Sequence, residues 1–541
     1  MNLSWWLERA SAEYPQKTAI VDASGASITY ADLEALVSRI GHVLRDDMGV
    51  QPDDVVVTCI ADNYLHVAIM YATMRIGAIF SGLNHKMVHE KFHSDIERCR
   101  PKAAIVAPEF REIADLIGGY PEIAVAMTTG AYGDFPSLDG LAADKTGLLK
   151  VEPRSRDDIA AINFTAGTSG ASKGVIFTHG KLETSCWGSI FLAGVKSDCR
   201  NLSLVGMFHS GGIADAVRLV MVGGTLLWSE GWDVDRVVDI IKTYKPNFAY
   251  YIVPTMMRDL MRHPDWEELD IRGLRTHVAG EVVPPEIEAA MRAKGAIVGA
   301  MYGMTETMPV RALSSALVYR DEDELPRGSS GRPNKEFCEV VLKDPHTGEI
   351  LEGGDVEGEI CLRGDVVTPG YYNDPERTAG AFDEDGYLHT RDRGYRDAQG
   401  WYFIRGRTDD MILSGAEKLS LLEVDKVLLE HPDVRDAACV GVAHDRFGEV
   451  PAAFIVLSTD HSESAARDML DSYCISAMER WKRPRLYIFV DAIPRTAAKQ
   501  TKMSGELRRI IAEITVANAD GVVTLGELEA RGTGSATVAA G

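Results

Sequence analysis

The stretch "FTAGTSGASKGVIFTHG", Phe164 to Gly180, sets four glycines, several hydroxyl residues and one lysine between apolar segments. The residues ahead of it, DIAAINF, read as a strand, and those at its end, THGKLETSCW, read as the start of a helix. Glycines let a backbone fold close around an anion with several N–H groups pointing inward, and Thr and Ser hydroxyls add donors. Lys173 adds a mobile positive charge suited to phosphate oxygens. Gly/Ser/Thr clusters are also the composition of ordinary solvated turns, so the loop alone leaves both readings open. It does not follow GxxxxGK[ST]: the spacing from Gly167 to Gly174 is wrong, and the lysine precedes the glycine. That turns the reading away from GTPases and kinase-like ATPases.

Outward from this loop, apolar runs rich in β-branched residues alternate with segments of helical period. KTAIVD, DDVVVTCI, AAIVAP, NLSLVGM and FAYYIVP predict strands, while YADLEALVSRIGHVLRDD, DVDRVVDIIKTYK and IEAAMRAKG predict helices. This alternation predicts an α/β fold of layered βαβ sheets, largely parallel. From about Gly328 the pattern shifts to short strands and tight turns (EVVLKDPHTGEIL, EGEICLRG, DEDGYLHT, DAQGWYFIRGR), predicting a small antiparallel β unit. After Arg407 come a helix (LLEVDKVLLEHP), two strands (DAACVGVA, PAAFIVLS), a helix (SAARDMLDSYCISAM) and a strand (RLYIFVDAI). They are enough for a separate, smaller α+β domain. The reading is therefore an N-terminal domain over 1–407, a C-terminal domain over 408–515 and a flexible tail over 516–541, which is rich in small residues.

Bulk properties narrow the function. A chain of 541 residues is too long for one ordinary core. Its formal net charge of -23 argues against a nucleic-acid or anionic-membrane partner. The eight cysteines are scattered with no CxxC pair, which disfavours a zinc site or disulfide framework and fits a cytoplasmic protein. MNLSWWLERASAEYP carries charges where a signal peptide needs apolar residues. HVAIMYATMRIGAIFSGLN, from His66, is broken by Arg75 and falls short of the ~20 apolar residues a span requires, so it reads as a buried helix ending in a loop.

The opening loop resembles the signature of adenylate-forming enzymes, the superfamily of acyl-CoA synthetases, peptide adenylation domains and firefly luciferase, whose usual form is [YF]-T-S-G-T-[TS]-G-x-P-K-G. Ala166 stands for the usual Ser and Ser172 for the usual Pro. The resemblance implies that Thr165, Ala166, Gly167, Thr168, Ser169, Gly170 and Lys173 bind ATP phosphates. MYGMTETMP resembles Y-G-x-T-E. By that resemblance Tyr302 and Gly303 lie against adenine, Thr305 holds the α-phosphate and Glu306 binds Mg²⁺. A carboxylate is a fitting ligand for that ion. In isolation, the same residues read as a strand, a turn and a capping Thr. HVAGEVVPPE occupies the place of G-G-A-P-L, with Gly280 and Glu281 bordering adenine.

YLHTRDRGYRD resembles H-T-G-D with Arg391 in place of Gly, making Asp392 the acceptor for both ribose hydroxyls. GRTDDMILSGAEKLS resembles G-R-x-[KD]-D-x-I-x-x-G-G-E. Its Arg407 would contact ribose or phosphate, Asp409 would be the hinge, and Gly415 with Ala416 would line the tunnel for CoA. His209 in GMFHSGGI matches a histidine that gates the acyl pocket or contacts the carboxylate; a lone His among apolar residues is more often simply packed. The late catalytic lysine of P-[RK]-T-x-x-G-K falls in PRTAAKQTKM. Lys499 aligns after one deletion, and Lys502 is the alternative.

The resemblance implies an AMP-forming carboxylic acid–CoA ligase whose partners are a small carboxylic acid, ATP with Mg²⁺, and CoA. Two other readings stand beside it: a module that loads a carrier protein, and a non-catalytic nucleotide-binding relative. Pocket segments around His209–Asp215, Tyr250–Thr255, Val278–Val283 and Met301–Met308 offer aromatic, Met and small residues, suiting an apolar or aromatic acid. A homodimer is left open.

Overall fold

The computed structural model describes the chain apart from residues 62, 85–88, 166–171, 251, 280–282, 284, 309–312, 315–325, 327, 346, 408–410, 415–416, 445–447, 459–460, 480–481, 495–501, 503, 505, 512–535 and 541. The described residues form two compact units, one of residues 1–341 and 361–389, the other of 342–360, 390–494 and the described residues from 502 onward. Compactness thus groups 342–360 and 390–407 with the C-terminal residues, whereas the sequence pattern changes at 407.

The first unit holds two sheets. One has six strands in the order Ala124–Met127, Ala103–Val106, Val55–Cys59, Ile79–Gly82, Ile159–Thr165 and Lys173–Thr178, parallel except for the last pair. Val55–Cys59 is buried at every position, as a central parallel strand covered on both faces must be, which is why its sequence runs apolar instead of alternating. The other sheet has nine strands, with a parallel centre formed by Thr18–Val21, Thr225–Trp228, Arg200–Ser203, Phe248–Tyr250, Arg275–Ala279 and Ile297–Tyr302. One apolar cluster takes members from both sheets (Phe80, Ala161, Leu226, Trp228) and from the helices Tyr30–His42, Tyr64–Arg75, His179–Ala193 and Ser210–Val222. The helix predicted over 30–47 is α-helical to His42 and closes in a π turn, Val43–Asp47.

Arg75, which interrupts the apolar run from His66, is fully buried. Its guanidinium pairs with the Glu34 carboxylate (Nη2 to Oε2, 2.6 Å) and donates to Ser4 Oγ at 3.0 Å and Ser38 Oγ at 3.1 Å. The residues after it, expected as a loop, include the strand Ile79–Gly82. Among the described residues no helix is long and apolar enough to cross a membrane. All eight cysteines are buried and free.

The small β unit expected from Gly328 is a four-stranded sheet of Glu339–Lys343, Val356–Arg363, Leu388–Arg396 and Tyr402–Arg407. The second unit carries a sheet in which Val434–His444 pairs with Gly448–Leu457 and Gly448–Leu457 runs parallel to Leu486–Val490. The helices Leu421–Leu429 and Glu463–Ala477 supply Val424, Leu428, Leu470 and Cys474 to its core. Ala536–Ala540, expected within a flexible tail, pairs antiparallel with Leu486–Val490. Thr and Val among small residues are enough for an edge strand where a neighbour offers free backbone groups.

His179 at the start of its helix is buried, and its Nδ1 accepts the Leu3 N–H at 3.2 Å. Burial first, then the positive charges of Arg154 and the N-terminal amino group, push its pKa down to about 3. The folded state therefore holds it neutral, while the unfolded chain protonates it near the ordinary value. Stability from this site is complete above about pH 6.5 and declines below it by up to about 1.4 kcal/mol per pH unit, towards the folded pKa. Urea unfolding of the wild type should weaken on acidification through this window, and His179→Asn should flatten the slope; an unchanged slope contradicts the assignment.

Candidate active site

Thr165 stands opposite Lys173 in an antiparallel pair. The glycine-rich stretch therefore joins two strands of a hairpin, not a strand and a helix. The apolar GVIF that had been read into the loop is part of the strand Lys173–Thr178, and the helix starts only at His179, where Thr178 accepts the Lys181 N–H. Among the described residues the loop is followed by a strand and not by a helix N-terminus, so the following segment supplies no helix dipole to an anion there. A side chain at Gly174 would be crowded, because a Cβ would sit 3.0 Å from Ile162 and 3.2 Å from the Phe164 ring.

A second segment, Thr368 to Arg377, braces the hairpin. Tyr372 N–H donates to Gly174 O (2.7 Å), Ile176 N–H to Gly370 O (3.1 Å) and Thr368 Oγ1 to Ile176 O (2.8 Å). Arg377 reaches Ser172 O at 3.4 Å. The same segment holds Glu306: its backbone carbonyl accepts the Thr368 N–H at 2.7 Å, and its Oε1 accepts the Tyr371 hydroxyl at 3.0 Å. Lys173 Nζ lies 5.2 Å from the centre of the Tyr371 ring, within cation–π range. Lys173, Tyr371 and Glu306 thus form one connected group, the lysine against the tyrosine ring and the carboxylate on its hydroxyl.

Glu306 belongs to a 3-10 turn, Thr305–Thr307, that follows the strand Ile297–Tyr302 through Gly303. Thr307 Oγ1 accepts the Met304 N–H at 3.1 Å and donates to Met304 O at 2.9 Å, so a capping Thr is present, though at 307 and not at 305. Tyr302, Thr305 and Glu306 are all buried, each 7% exposed. A carboxylate this buried with one hydroxyl donor has acceptor capacity to spare for a hard cation, so the residues fit Mg²⁺. Tyr371 and Thr368 were missed by sequence reading. The signal was a Pro-Gly turn followed by two tyrosines, which marks a bend but gives no indication of its partner.

In the second unit, Asp392 faces Arg407 across the antiparallel pair Leu388–Arg396 and Tyr402–Arg407, and its N–H donates to Thr390 Oγ1 at 3.0 Å. Arg391, which replaces the motif's glycine, has φ 62°. The position demands the left-handed conformation that glycine adopts freely, so the substitution carries strain, and the Arg391 N–H is held by Glu359 Oε1 at 2.9 Å.

His209 caps the helix Ser210–Val222, its Nδ1 accepting the Gly211 N–H at 3.0 Å, which places the neutral ring's proton on Nε2. The preceding Phe208 carbonyl is tied to the strand Ile159–Thr165 by Asn163 Nδ2 at 2.9 Å. Further along the helix, Asp215 is buried, accepts Ser203 Oγ at 2.7 Å and pairs with Arg218, whose guanidinium lies 3.7 Å from the centre of the Tyr250 ring. Burial raises the Asp215 pKa, while Arg218 and the Ser203 hydroxyl oppose the shift. A segment read as apolar pocket wall thus ends in Asp215, one half of a buried ion pair with Arg218.

Lys502 donates to Asp425 Oδ2 at 2.8 Å and to Cys439 O at 3.0 Å within the second unit. Ala166, Gly167, Thr168, Ser169, Gly170, Gly280, Glu281, Asp409, Gly415, Ala416 and Lys499 lie outside the described residues.

The family model described as AMP-binding enzyme matches residues 7–372, and that described as AMP-binding enzyme C-terminal domain matches 423–499. The chain is 27% identical over 522 residues to the indoleacetate–CoA ligase of Aromatoleum aromaticum, covering 95% of this chain and 99% of the relative. Among solved structures it resembles the anthranilate CoA ligase AuaEII in complex with anthranoyl-AMP (TM-score 0.86, 26% identity, 96% of this chain and 98% of that one). It also resembles the O-succinylbenzoate coenzyme A synthetase MenE of Bacillus subtilis in complex with ATP and magnesium ion (TM-score 0.78, 25% identity, 93% of this chain and 99% of that one).

Removing the Tyr371 hydroxyl leaves a buried carboxylate without its donor. Tyr371→Phe should cost about 1–3 kcal/mol in urea unfolding, and Glu306→Gln combined with it should cost less than the sum of the two. Full additivity contradicts the pairing.

Proposed function

This chain belongs to the AMP-binding enzyme family, and we propose that it is an acyl-CoA synthetase in which Glu306 serves MgATP, Lys499 drives adenylation and the acid is aromatic or otherwise apolar. The activity is that of an AMP-forming carboxylic acid–CoA ligase, as in the named CoA ligases it resembles along nearly its whole length. The observation that carries the site reading is the connected group of Lys173, Tyr371 and Glu306, which holds a cation donor and a buried carboxylate beside the two adenylation motifs.

In the first half-reaction a carboxylate oxygen of the acid attacks the α-phosphorus of ATP. The bond from that phosphorus to the bridging oxygen breaks, and pyrophosphate leaves. When bound, Mg²⁺ supplies charge neutralisation for triphosphate oxygens, and Glu306 would be its protein ligand. Thr165 and Lys173 face the phosphates from the hairpin, and Thr305 donates to the α-phosphate. Asp392 accepts from the ribose hydroxyls, with Arg407 beside it, and Tyr302 lies against the adenine with Gly280 and Glu281. Lys499 spans the acid's carboxylate and the α-phosphate as negative charge shifts between them, an effect that depends on placement.

In the second half-reaction the CoA thiolate attacks the acyl carbon, the bond to the phosphate oxygen breaks, and AMP leaves. Rotation about Asp409 would withdraw Lys499 and bring Gly415 and Ala416 beside the pantetheine arm. His209, with its proton on Nε2, would donate to the acid's carboxylate.

Two observations support Lys499 over Lys502. Lys502 is committed to Asp425 and the Cys439 carbonyl, and the match to the C-terminal family model ends at Lys499. The charge balance of Asp215 and Arg218 supports the acid class, since this pair leaves no net positive charge for a second carboxylate. The names of two relatives, acting on indoleacetate and anthranilate, agree with an aromatic acid.

Lys499→Ala should abolish carboxylate-dependent exchange of pyrophosphate into ATP while sparing thioester formation from supplied acyl-AMP; full exchange by this variant contradicts the assignment. In a panel of benzoate, phenylacetate, indoleacetate, cinnamate, hexanoate and malonate, AMP release should be at least roughly tenfold faster with the best aromatic acid than with malonate. The reverse order contradicts the acid class.

A further inference from the structure

We propose that Arg377, held by Asp374 and Arg98, is a positioning residue for Lys173, supplying through a hydrogen bond the restraint that the motif's usual proline supplies through its ring. The inference rests on Lys173 being a phosphate contact of ATP. Ser172, which stands in the proline's place, directly precedes Lys173, and Gly174 follows it. The carbonyls on both sides of the lysine are held by one segment. Arg377 Nη1 donates to Ser172 O at 3.4 Å, and the Tyr372 N–H donates to Gly174 O at 2.7 Å. The Lys173 ammonium itself lies 5.2 Å from the centre of the Tyr371 ring. Tyr371, Tyr372 and Arg377 thus restrain the lysine's backbone before and after it, and its charged end.

Arg377 is itself fixed. It lies in the short helix Pro375–Ala379, which Asp374 caps by accepting the Arg377 N–H at 3.2 Å. The Asp374 carboxylate also pairs with the Arg377 guanidinium at 3.4 Å and with Arg98 of the helix His89–Cys99. Arg98 and Asp374 are sheltered, with side-chain exposures of 19% and 14%, so solvent screens them less than an open surface pair. Asn373 completes the join. Its Nδ2 donates to Arg98 O at 2.9 Å, and its φ of 52° turns the chain from Tyr372 into the helix. Asn accepts that left-handed conformation more readily than most residues. The strut therefore runs from the helix His89–Cys99 through Asp374 to Arg377, and it ends on the backbone beside Lys173.

Proline locks φ at about −65° and so removes freedom from the chain ahead of a functional lysine. Serine leaves that freedom in place, and ordering the lysine then weakens its hold on phosphate oxygens unless another restraint is present. A charged donor on the Ser172 carbonyl is such a restraint. Arg377 acts on ATP through Lys173. An acyl-adenylate carries one phosphate where ATP carries three, so loss of the strut should weaken ATP binding and spare the half-reaction that starts from the adenylate. A merely stabilising ion pair would not separate the two.

The test uses the full-length enzyme. Titration calorimetry with MgATP and no acid reads ATP affinity, and thioester formation from CoA plus the synthetic adenylate of the fastest acid in the panel above reads the second half-reaction. Arg377→Met should weaken ATP binding by roughly five- to fiftyfold and leave the second half-reaction within about twofold. Adding Ser172→Pro to Arg377→Met should recover at least about threefold in affinity, more than the same change gains in the wild type. Asp374→Asn keeps a capping side chain on the helix and removes the charge that holds Arg377, so it should weaken ATP binding by at least about threefold and remains informative if Arg377→Met folds poorly. Unchanged affinity in Arg377→Met or in Asp374→Asn, parallel loss of both readouts, or a proline that acts equally on both backgrounds overturns the strut. Lys173→Met run alongside separates the two failures. Unchanged ATP affinity there overturns Lys173 as a phosphate contact, whereas weakened affinity there beside wild-type affinity in Arg377→Met overturns the strut alone.

Discussion

A buried carboxylate beside a lysine-bearing hairpin needs something to hold it in place, and here that is the Tyr371 hydroxyl on Glu306. The hydroxyl can do this only because the chain from Thr368 to Tyr372 is itself laced to the strand Lys173–Thr178 through backbone hydrogen bonds. One short segment thus sets the distance between two motifs that lie more than a hundred residues apart in the chain. The remaining capacity of the Glu306 carboxylate is what a divalent cation would use, and the Lys173 ammonium lies at cation–π distance from the Tyr371 ring.

The rest of the first unit serves to make this arrangement rigid. Parallel strands buried on both faces cannot shift register without moving apolar side chains into the wrong layer, so the turns at their ends are fixed in space. Two pairs of buried charges inside the unit are compensated locally. Arg75 pairs with Glu34 in the helical layer, and Asp215 pairs with Arg218 next to Tyr250. Buried pairs of this kind contribute little net stability but are costly to break, so they constrain substitution more than they strengthen the fold.

The α/β class, the change of texture after Gly328 and the α+β character of the C-terminal residues were legible in the sequence because periodicity reports burial directly. Three features were not. The strand Lys173–Thr178 was hidden because a four-residue apolar run beside a glycine-rich loop has no period of its own. The strand Ile79–Gly82 was masked by the apolar helix before it. Tyr371 was invisible because its role depends on two crossing segments that no local pattern links. Arg391 shows the opposite case. The motif's glycine explains itself once φ is seen to be 62°, and the arginine there is a local exception the backbone tolerates with help from Glu359. Lys502 read as a rival to Lys499 from spacing alone, and in the second unit it bonds Asp425 and the Cys439 carbonyl, partners that spacing does not reveal.

The central claim is that the acid's carboxylate attacks the α-phosphorus of ATP. Turnover of the best aromatic acid carrying ¹⁸O in both carboxylate oxygens tests this directly, with the AMP and the thioester examined by mass spectrometry. The account predicts one ¹⁸O in the phosphate of AMP and one in the thioester carbonyl. ADP as the product, or AMP free of label, would contradict it.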